Sequence, residues 1–254
     1  MYTDFASVYD RLMQDVPYAA WAAYYAKLMG QAGIPKDGMV CECACGSGSL
    51  TIPLQEMGYR MTGIDLSREM LDIAAKKARK AGCSIPFVCQ DMRELQLHRR
   101  VHAILATCDG VNYLLHDEDA AAFFSRAFQS LRPGGGLFFD VSTPYKLKND
   151  LGNQLLCEDA EDITYVWQNS FSPKSETVSM HLCFFVRQEN GMYIRLDEEQ
   201  QQRAYDIATL TKLLRDAGFD QITVTGDRTG IAPTATERRW HFAALKPAEE
   251  EIDL

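Results

Sequence analysis

Between residues 39 and 141 the chain alternates short apolar segments with segments of helical periodicity, and this alternation decides the fold class. Strands are predicted at 39–45, 59–65, 85–89, 101–107 and 137–141. Helices are predicted before and between them, at 15–32, 49–57, 67–80 and 119–131. Strands and helices that alternate in this way form a parallel sheet covered by helices on both faces. We therefore predict an α/β fold with a doubly wound, mostly parallel sheet.

After Pro144 the pattern changes to the two-residue alternation of half-buried strands. Apolar residues recur at every second position from Ile163 to Trp167 and from Val178 to Val186. Asn190-Gly191 is a hairpin-turn sequence, so residues 192–203 can return as a partner strand. This part of the chain is therefore predicted to form a small antiparallel β-sheet.

The α/β pattern resumes near residue 205, with a predicted helix and two more strands, at 210–217, 221–225 and 240–245. We predict an α/β domain made of residues 1–144 and 205–247, interrupted by the antiparallel subdomain at 145–204. The acidic residues 248–254 are expected to form a frayed tail.

The charge of the chain disfavours some partners. The formal net charge is -9, whereas a protein that grips a phosphate backbone usually carries a basic excess. No apolar run is long enough for a membrane span, and the first fifteen residues lack the apolar core of a signal peptide. We expect a cytoplasmic protein with no nucleic-acid or membrane partner; the sequence does not indicate an oligomeric state.

The stretch CECACGSGSL, from Cys41 to Leu50, combines alternating cysteines with closely spaced glycines. A strand would point Cys41, Cys43 and Cys45 toward one face, and a flat strand does not converge its thiolates on a zinc ion. The chain contains no C-x-x-C pair, and cysteine is among the most buried residue types. We therefore predict core cysteines and no metal site.

The glycines of this stretch indicate a ligand site. Gly46 and Gly48 lie between a predicted strand and the next helix, where backbone N–H groups and the helix N-terminus face a polar ligand. The dinucleotide fingerprint G-x-G-x-x-G fails, because its third glycine is replaced by Thr51. Just before the loop, Glu42 stands inside a buried strand, which is costly unless it meets a cationic or hydrogen-bonding partner.

Two further acids follow the next two strands. Asp65 ends the second strand, where a carboxylate can accept bonds from both hydroxyls of a ribose. Asp91-Met92 follows the third strand, where an acid or its backbone can accept from an adenine amino group. Three acids at successive strand ends are hard to explain as caps or turn residues alone, and they predict a cofactor that contains a nucleoside.

The segment VCECACGSGSLTIPL resembles the first motif of class I S-adenosylmethionine-dependent methyltransferases, E/D-x-G-x-G-x-G, with Ala44 in place of one glycine. GIDLSREML, QDM, CDGVNYL and LRPGGGLFFD resemble the later motifs. The resemblance runs from about Phe5 to Leu245 and is strongest to small bacterial methyltransferases of the YqeM-like kind. It implies a Rossmann-like domain, an N-terminal cap at 1–35 over the cofactor, and a lid formed by the inserted sheet.

The resemblance also assigns roles in binding S-adenosyl-L-methionine and its product, S-adenosyl-L-homocysteine. Gly46 and Gly48 would admit the methionine part and the ribose, Glu42 would meet the ammonium group, and Asp65 would hold the ribose. The methyl group of Ala44 would lie near the methionine carboxylate. The implied cofactor-binding set is Tyr9, Glu42, Ala44, Gly46, Gly48, Asp65, Leu66, Met70, Asp91, Met92 and Thr107.

Methyl transfer from a sulfonium is an in-line displacement at an activated carbon, so the enzyme mainly aligns the reactants and excludes water. A base is needed only for an acceptor that arrives protonated. We expect Tyr9 and His116 to be the catalytic residues. Residues expected near the transferred methyl group are Tyr9, Asp109, Asn112, Tyr113 and His116. Trp21 is predicted to pack in the core rather than to line the pocket.

The motifs do not identify the molecule that accepts the methyl group. DNA and amide N-methyltransferases typically carry N/D-P-P-Y where this chain has Thr107-Cys108-Asp109-Gly110, and Cys108 lacks the preceding proline of a cytosine C5 enzyme. We expect a small-molecule acceptor, with residues from about Asn149 to Arg203 forming part of its pocket. The alternatives are a methyltransferase that acts on RNA or protein, and a cofactor-binding module without transfer activity.

Overall fold

The computed structural model describes residues 10, 13, 16–160 and 162–248, and these residues form two separate β-sheets. The strands are β1 Met39–Cys43, β2 Arg60–Asp65, β3 Phe87–Cys89, β4 Val101–Ala106, β5 Leu131–Ser142, β6 Leu155–Asp159, β7 Ile163–Ser172, β8 Thr177–Arg187, β9 Tyr193–Arg203, β10 Asp220–Thr225 and β11 Arg239–Leu245. The α-helices are α1 Tyr18–Gln31, α2 Thr51–Glu56, α3 Arg68–Lys80, α4 Asp117–Ser130 and α5 Ile207–Asp216.

The main sheet has seven strands in the order β3-β2-β1-β4-β5-β11-β10. Strands β1 to β5 pair with one another in parallel, whereas β11 is antiparallel to both β5 and β10. The strand order turns back on itself between β1 and β4, and open α/β sheets bind ligands in the crevice at such a reversal. The predicted α/β fold with a mostly parallel sheet is confirmed.

Alternate residues of each central strand enter two hydrophobic cores on opposite faces of the main sheet. In β4, Ile104 packs with helices α4 and α5, whereas Leu105 packs with helices α1 and α2. In β5, Phe139 packs in the core with α4 and α5, whereas Phe138 packs in the core with α1 and α2. Helices therefore cover both faces, and within the described residues no helix has the length and apolarity that a membrane span requires.

The cysteines of β1 belong to one of these cores. Cys41 and Cys43 are buried in the cluster beneath α4 and α5, as predicted, and Cys45 is buried just after the strand. A hydrogen bond with Cys41 and burial both raise the pKa of Cys43, and burial raises the pKa of Cys45. Both thiols are therefore held in the neutral form, which is not the metal-binding form.

The second sheet, which we call the inserted sheet, consists of strands β6 to β9 in sequential antiparallel order. Strand β6 was not predicted, because most of its side chains are exposed and its sequence does not alternate. The hairpin at Asn190-Gly191 joins β8 to β9, as the sequence indicated. One face of β8 is buried at Val178, Met180, Leu182, Phe184 and Val186.

Several element boundaries differ from the prediction. Helix α1, predicted from residue 15, begins at Tyr18 with Pro17 at the N-cap position, and residue 15 lies outside the described residues. Strand β5 starts at Leu131 and includes Gly136, which we had placed in a loop. Gly136 pairs with Ala103 on one side and Leu245 on the other, and the register shifts before it, so the glycine-rich segment is an irregular stretch within the strand.

We predict opposite effects for two glycine-to-alanine substitutions. A Cβ atom on Gly63 in β2 would lie 2.6 Å from the ring of Phe87 and 2.9 Å from Cys45 Sγ. Gly63→Ala should therefore lower the free energy of unfolding by about 1–3 kcal/mol through overpacking. In helix α1 a Cβ atom on Gly30 would meet no atom within 4 Å. Gly30→Ala should leave stability unchanged or raise it by up to about 1 kcal/mol.

Denaturant unfolding of both variants measures the two effects. A Gly63→Ala protein as stable as the Gly30→Ala protein would show that Phe87 does not pack on the β2 backbone.

Candidate active site

A cavity of about 1550 Å³ lies at the carboxyl edge of the main sheet, between that edge and the inserted sheet. Ligand pockets usually measure about 300–1,000 Å³, so this one has room for two ligands side by side. Its walls come from the segments that follow β1, β2, β3 and β4, from Met13 and Val16 near the N-terminus, and from the inner face of the inserted sheet.

The glycine loop after β1 forms one wall of the cavity. Gly46 has φ +52° and Gly48 has φ +72°, a left-handed conformation that favours glycine. A Cβ atom on Gly46 would meet nothing, whereas one on Gly48 would meet Ala74 at 3.1 Å. Gly46 is thus required by its backbone conformation, and Gly48 is required by close packing as well. Ala44 also has a positive φ, of 53°.

Asp65, at the end of β2, ties the glycine loop to the next helix. Its Oδ2 accepts from the Gly46 N–H at 2.8 Å and its Oδ1 accepts from the Ser67 N–H at 2.9 Å. Ser67 caps α3 by accepting from the Met70 N–H at 3.2 Å. Burial raises the pKa of Asp65. The carboxylate lines the cavity, and each oxygen keeps a further lone pair for a ligand.

Glu42 is the most deeply buried acid of the glycine-loop wall, with 2% of its surface exposed. Its oxygens accept hydrogen bonds from the hydroxyls of Thr51 and Thr107, the latter at 2.8 Å. Burial raises its pKa to about 7, although both hydroxyl bonds act in the opposite direction. No cation among the described residues pairs with Glu42 in a salt bridge, so a positively charged ligand group would favour its ionised form.

The other predicted cofactor residues also line the cavity. Asp91 accepts from Arg93 at 2.6 Å, and this pairing lowers the pKa of the carboxyl group. Arg93 also reaches Asp119 at 3.0 Å. Met92 and Thr107 face the cavity, as do exposed Leu66 and buried Met70. The predicted set, apart from Tyr9 and Gly48, is therefore brought together around one cavity.

A buried charged cluster that the sequence did not reveal stands beside this set. Arg239 of β11 forms ion pairs with Asp140 of β5 and with Asp109 after β4. Asp140 is fully buried and also accepts from the Tyr25 hydroxyl at 2.8 Å and the Cys108 N–H at 2.9 Å. Asp109 and Arg239 line the cavity.

The turn after β4 holds Asp109 in an uncommon conformation. Cys108 and Asp109 have φ values of 54° and 67°, and two successive left-handed residues outside glycine carry strain of the kind found at functional sites. Burial opposes ionisation of Asp109, but the charges of Arg239 and of Lys146, 3.8 Å away, hold its pKa below the usual range. Asp109 is therefore a carboxylate at neutral pH.

The residues predicted to be catalytic, or to lie near the transferred methyl group, differ in whether they line the cavity. Tyr9 lies outside the described residues. His116 is exposed, lines the cavity and takes the N-cap position of α4. Tyr113 lines the cavity and donates to Gln200 at 2.9 Å. Asn112 does not line it, because its buried amide instead bonds Ser142 and the carbonyl of Arg203.

Two features near the N-terminus bear on the predicted cap. Asp10 pairs with Lys77 at 2.8 Å and bonds Ser47 of the glycine loop. Trp21 packs in the core beside α2, as predicted, but it also faces the cavity, and Arg239 lies 5.0 Å from its ring centre. The prediction that Trp21 does not line the pocket is therefore wrong.

The cavity wall is acidic. Eight of the described lining residues are aspartate or glutamate: Glu42, Asp65, Glu69, Asp91, Asp109, Asp119, Glu158 and Asp162. Four are lysine or arginine: Arg68, Arg93, Lys146 and Arg239. Such an excess favours ligands with positively charged groups.

The pKa of Glu42 leads to a pH-dependent prediction. A buried acid whose pKa is raised from 4.5 to about 7 stabilises the fold below pH 4.5 and loses that contribution as the pH rises through 7. Glutamine imitates the protonated acid. The ligand-free Glu42→Gln protein should therefore be more stable than the wild type at pH 8, by on the order of 3 kcal/mol at most, and the difference should shrink toward pH 5.

Thermal or denaturant unfolding of both proteins at pH 5, 6.5 and 8 measures this trend. A stability difference that stays constant over this range would mean that Glu42 does not titrate there.

Comparison with known proteins agrees with this geometry. Residues 40–135 match the family model described as a methyltransferase domain. The chain is 36% identical to YqeM of Bacillus subtilis (strain 168) over 247 residues, which cover 97% of each protein.

Solved structures extend the comparison to the whole fold. The crystal structure of an S-adenosylmethionine-dependent methyltransferase from Clostridium acetobutylicum ATCC 824 has a TM-score of 0.88 and 29% identity, and the match covers 97% of this chain and 99% of that one. The sugar N-methyltransferase KedS8 from Streptoalloteichus sp ATCC 53650 shares the fold, with a TM-score of 0.77, 19% identity and coverage of 94% and 93%.

The cavity joins most of the predicted cofactor residues at the reversal of strand order, and the similarity to YqeM and to the Clostridium structure covers nearly the whole of each chain. The chain belongs to the S-adenosylmethionine-dependent methyltransferases.

Proposed function

We propose that this methyltransferase transfers the methyl group to a small molecule held between the carboxyl edge of the main sheet and the inner face of the inserted sheet. The observation that carries the proposal is the continuity of one cavity from Asp65 to Trp167 and Phe184. The inserted sheet acts as a lid in this proposal, and it places aromatic rings opposite the glycine loop.

The size and charge of the site favour a small acceptor over a macromolecule. The volume of about 1550 Å³ suits two small ligands, and the inserted sheet closes over it. The lining has an acidic excess, whereas a site for RNA usually presents a basic surface. KedS8, which shares the fold, is named as a sugar N-methyltransferase, an enzyme with a small polar substrate.

The described residues fit S-adenosylmethionine in chemical type. The uncompensated carboxyl group of Glu42 suits the ammonium group, and the free lone pairs of Asp65 suit the ribose hydroxyls. Leu66 and Met70 offer apolar surface for adenine, beside Asp91 and Met92. When bound, the cofactor supplies an activated methyl group; the protein aligns the acceptor and keeps water away.

Asp109 and its neighbours are proposed to orient the acceptor. Arg239 and Lys146 keep Asp109 ionised, so its carboxylate accepts hydrogen bonds from an acceptor hydroxyl or amine. A low pKa makes Asp109 a poor base, so a protonated acceptor would lose its proton to another group. His116 lines the same cavity and is proposed for that task when the acceptor needs it.

A methyl-transfer screen tests the proposal. The full-length protein is incubated with radiolabelled S-adenosylmethionine and separate panels of small amines, small hydroxy compounds, total RNA and protein lysate. We expect labelled product from a small-molecule panel, and the labelling should fall at least tenfold in Asp109→Asn, which loses the charge. Labelling of RNA or protein alone would contradict the proposal, and cofactor binding without transfer to any panel would favour a non-catalytic module.

Substitution of Asp65 tests the cofactor site. Hydrogen bonds to a charged partner contribute roughly 1.5–3 kcal/mol each, and water replaces part of that loss in an open site. Asp65→Ala should therefore weaken S-adenosylmethionine binding by about tenfold to a thousandfold. Asp65→Asn should lose less, because its amide oxygen still accepts one bond. Isothermal calorimetry measures both affinities.

The control for this prediction is Asp72→Ala on the exposed face of α3, which should leave the affinity unchanged. Because Asp65 also bonds the backbone of Gly46 and Ser67, unfolding must be measured on the same proteins. A folded Asp65→Ala protein that binds the cofactor as the wild type does would remove Asp65 from the site.

A further inference from the structure

The inner face of the inserted sheet changes from apolar to polar along its length. Residues in register across β7, β8 and β9 form rows on this face. The rows Ile163–Val186–Ile194 and Tyr165–Phe184–Leu196 are apolar or aromatic. The next rows end on Glu198, Gln200 and Gln202, all of them buried. A sheet face that served only as a core would have no reason to bury three polar side chains in succession.

Two polar groups of β7 on this face are buried without partners. Asn169 is 4% exposed, and neither its Nδ2 nor its Oδ1 makes a hydrogen bond within the described residues. Trp167, two residues earlier on the same face, has an indole N–H without a partner. A buried polar group without a partner destabilises the fold, so such groups persist where a ligand or ordered water satisfies them.

These two groups face adjoining spaces. Trp167 lines the main cavity, and Asn169 lines a second cavity of about 700 Å³. The two cavities share Tyr113, Leu115, Met180 and Gln200 as a common wall. Met180 and Gln200 stand in the same cross-strand row as Asn169. The unpartnered groups therefore lie on either side of the junction between the cavities.

We infer that the second cavity is an acceptor subsite that binds a neutral, hydroxyl-bearing part of the small molecule through Asn169 and Trp167. The inference rests on the proposed function, because it assigns this subsite to the same acceptor. It makes Asn169 a specificity-determining residue.

The hydrogen-bonding capacity of the two side chains selects this chemical class. The Asn169 amide donates through Nδ2 and accepts through Oδ1, and Trp167 only donates. A carboxylate cannot donate to Oδ1, and an ammonium group cannot accept from Nδ2 or from the indole. A hydroxyl group does both. On the same face of the sheet, Gln200 adds a further amide and lines both cavities.

Nuclear magnetic resonance gives a direct readout that does not depend on activity. The chain has three tryptophans, so the Trp167 indole signal is identified by its loss in Trp167→Phe. Full-length protein saturated with S-adenosylhomocysteine is titrated with methyl α-D-glucopyranoside, n-butylammonium or acetate as probes. We expect a saturable shift of the Trp167 signal with the glucoside and none with the two charged probes.

Asn169→Leu is the decisive variant. This variant replaces the unsatisfied carboxamide with an apolar side chain of similar size, so its thermal stability should equal or exceed that of the wild type. Its dissociation constant for the glucoside should rise at least tenfold, while cofactor affinity stays within about twofold. Gln154→Leu is the matched control, because it replaces an amide with leucine at an exposed position outside both cavities.

Three outcomes would overturn the inference: equal glucoside binding by Asn169→Leu and wild type, shifts with charged probes only, or no saturable shift at all. The first would mean that ordered water satisfies Asn169. The proposed function fails separately, if the methyl-transfer screen labels RNA or protein alone while the glucoside still binds at Asn169.

Discussion

The buried ion pair between Asp140 and Arg239 joins most of the parts that form the site. It links adjacent strands of the main sheet, reaches α1 through the Tyr25 hydroxyl, and fixes the turn after β4 through the N–H of Cys108. Removal of Arg239 would leave the buried carboxylate of Asp140 without a cation, a loss on the order of several kcal/mol. The position of Asp109, and with it one side of the cavity, depends on this pair because Arg239 binds both acids.

The two sheets contribute different kinds of surface to the cavity. The main sheet supplies short, rigid turns at its carboxyl edge, where Glu42 and Asp65 are held by hydrogen bonds to neighbouring hydroxyl and backbone groups. The inserted sheet supplies a broad surface whose side chains stand in regular rows. In the proposed function, cofactor binding therefore depends on the geometry of strand ends, whereas acceptor selection depends on side chains of a sheet face.

The sequence predicted the fold, and it predicted which acids would meet at one edge of the sheet, because both follow local rules. Alternation of strands and helices gives the sheet, and acids at strand ends such as Asp65 meet at one edge. Asp140 and Arg239 were missed because a charge in a strand has no local sign of its partner, 99 residues away. Asn169 was missed for a related reason: alternation predicts the face of a residue, but only the packed structure shows that its amide has no partner.

The place of Arg239 in the chain has a consequence for synthesis on the ribosome. Asp140 and the whole inserted sheet emerge before Arg239, and β11 must then enter between β5 and β10. Until that strand arrives, Asp140 lies at the edge of an unfinished sheet without the arginine that pairs with it and with Asp109. A chain cut short before residue 239 would lack β11 and leave the hydrogen-bonding edge of β5 unpaired, and an unpaired sheet edge favours aggregation.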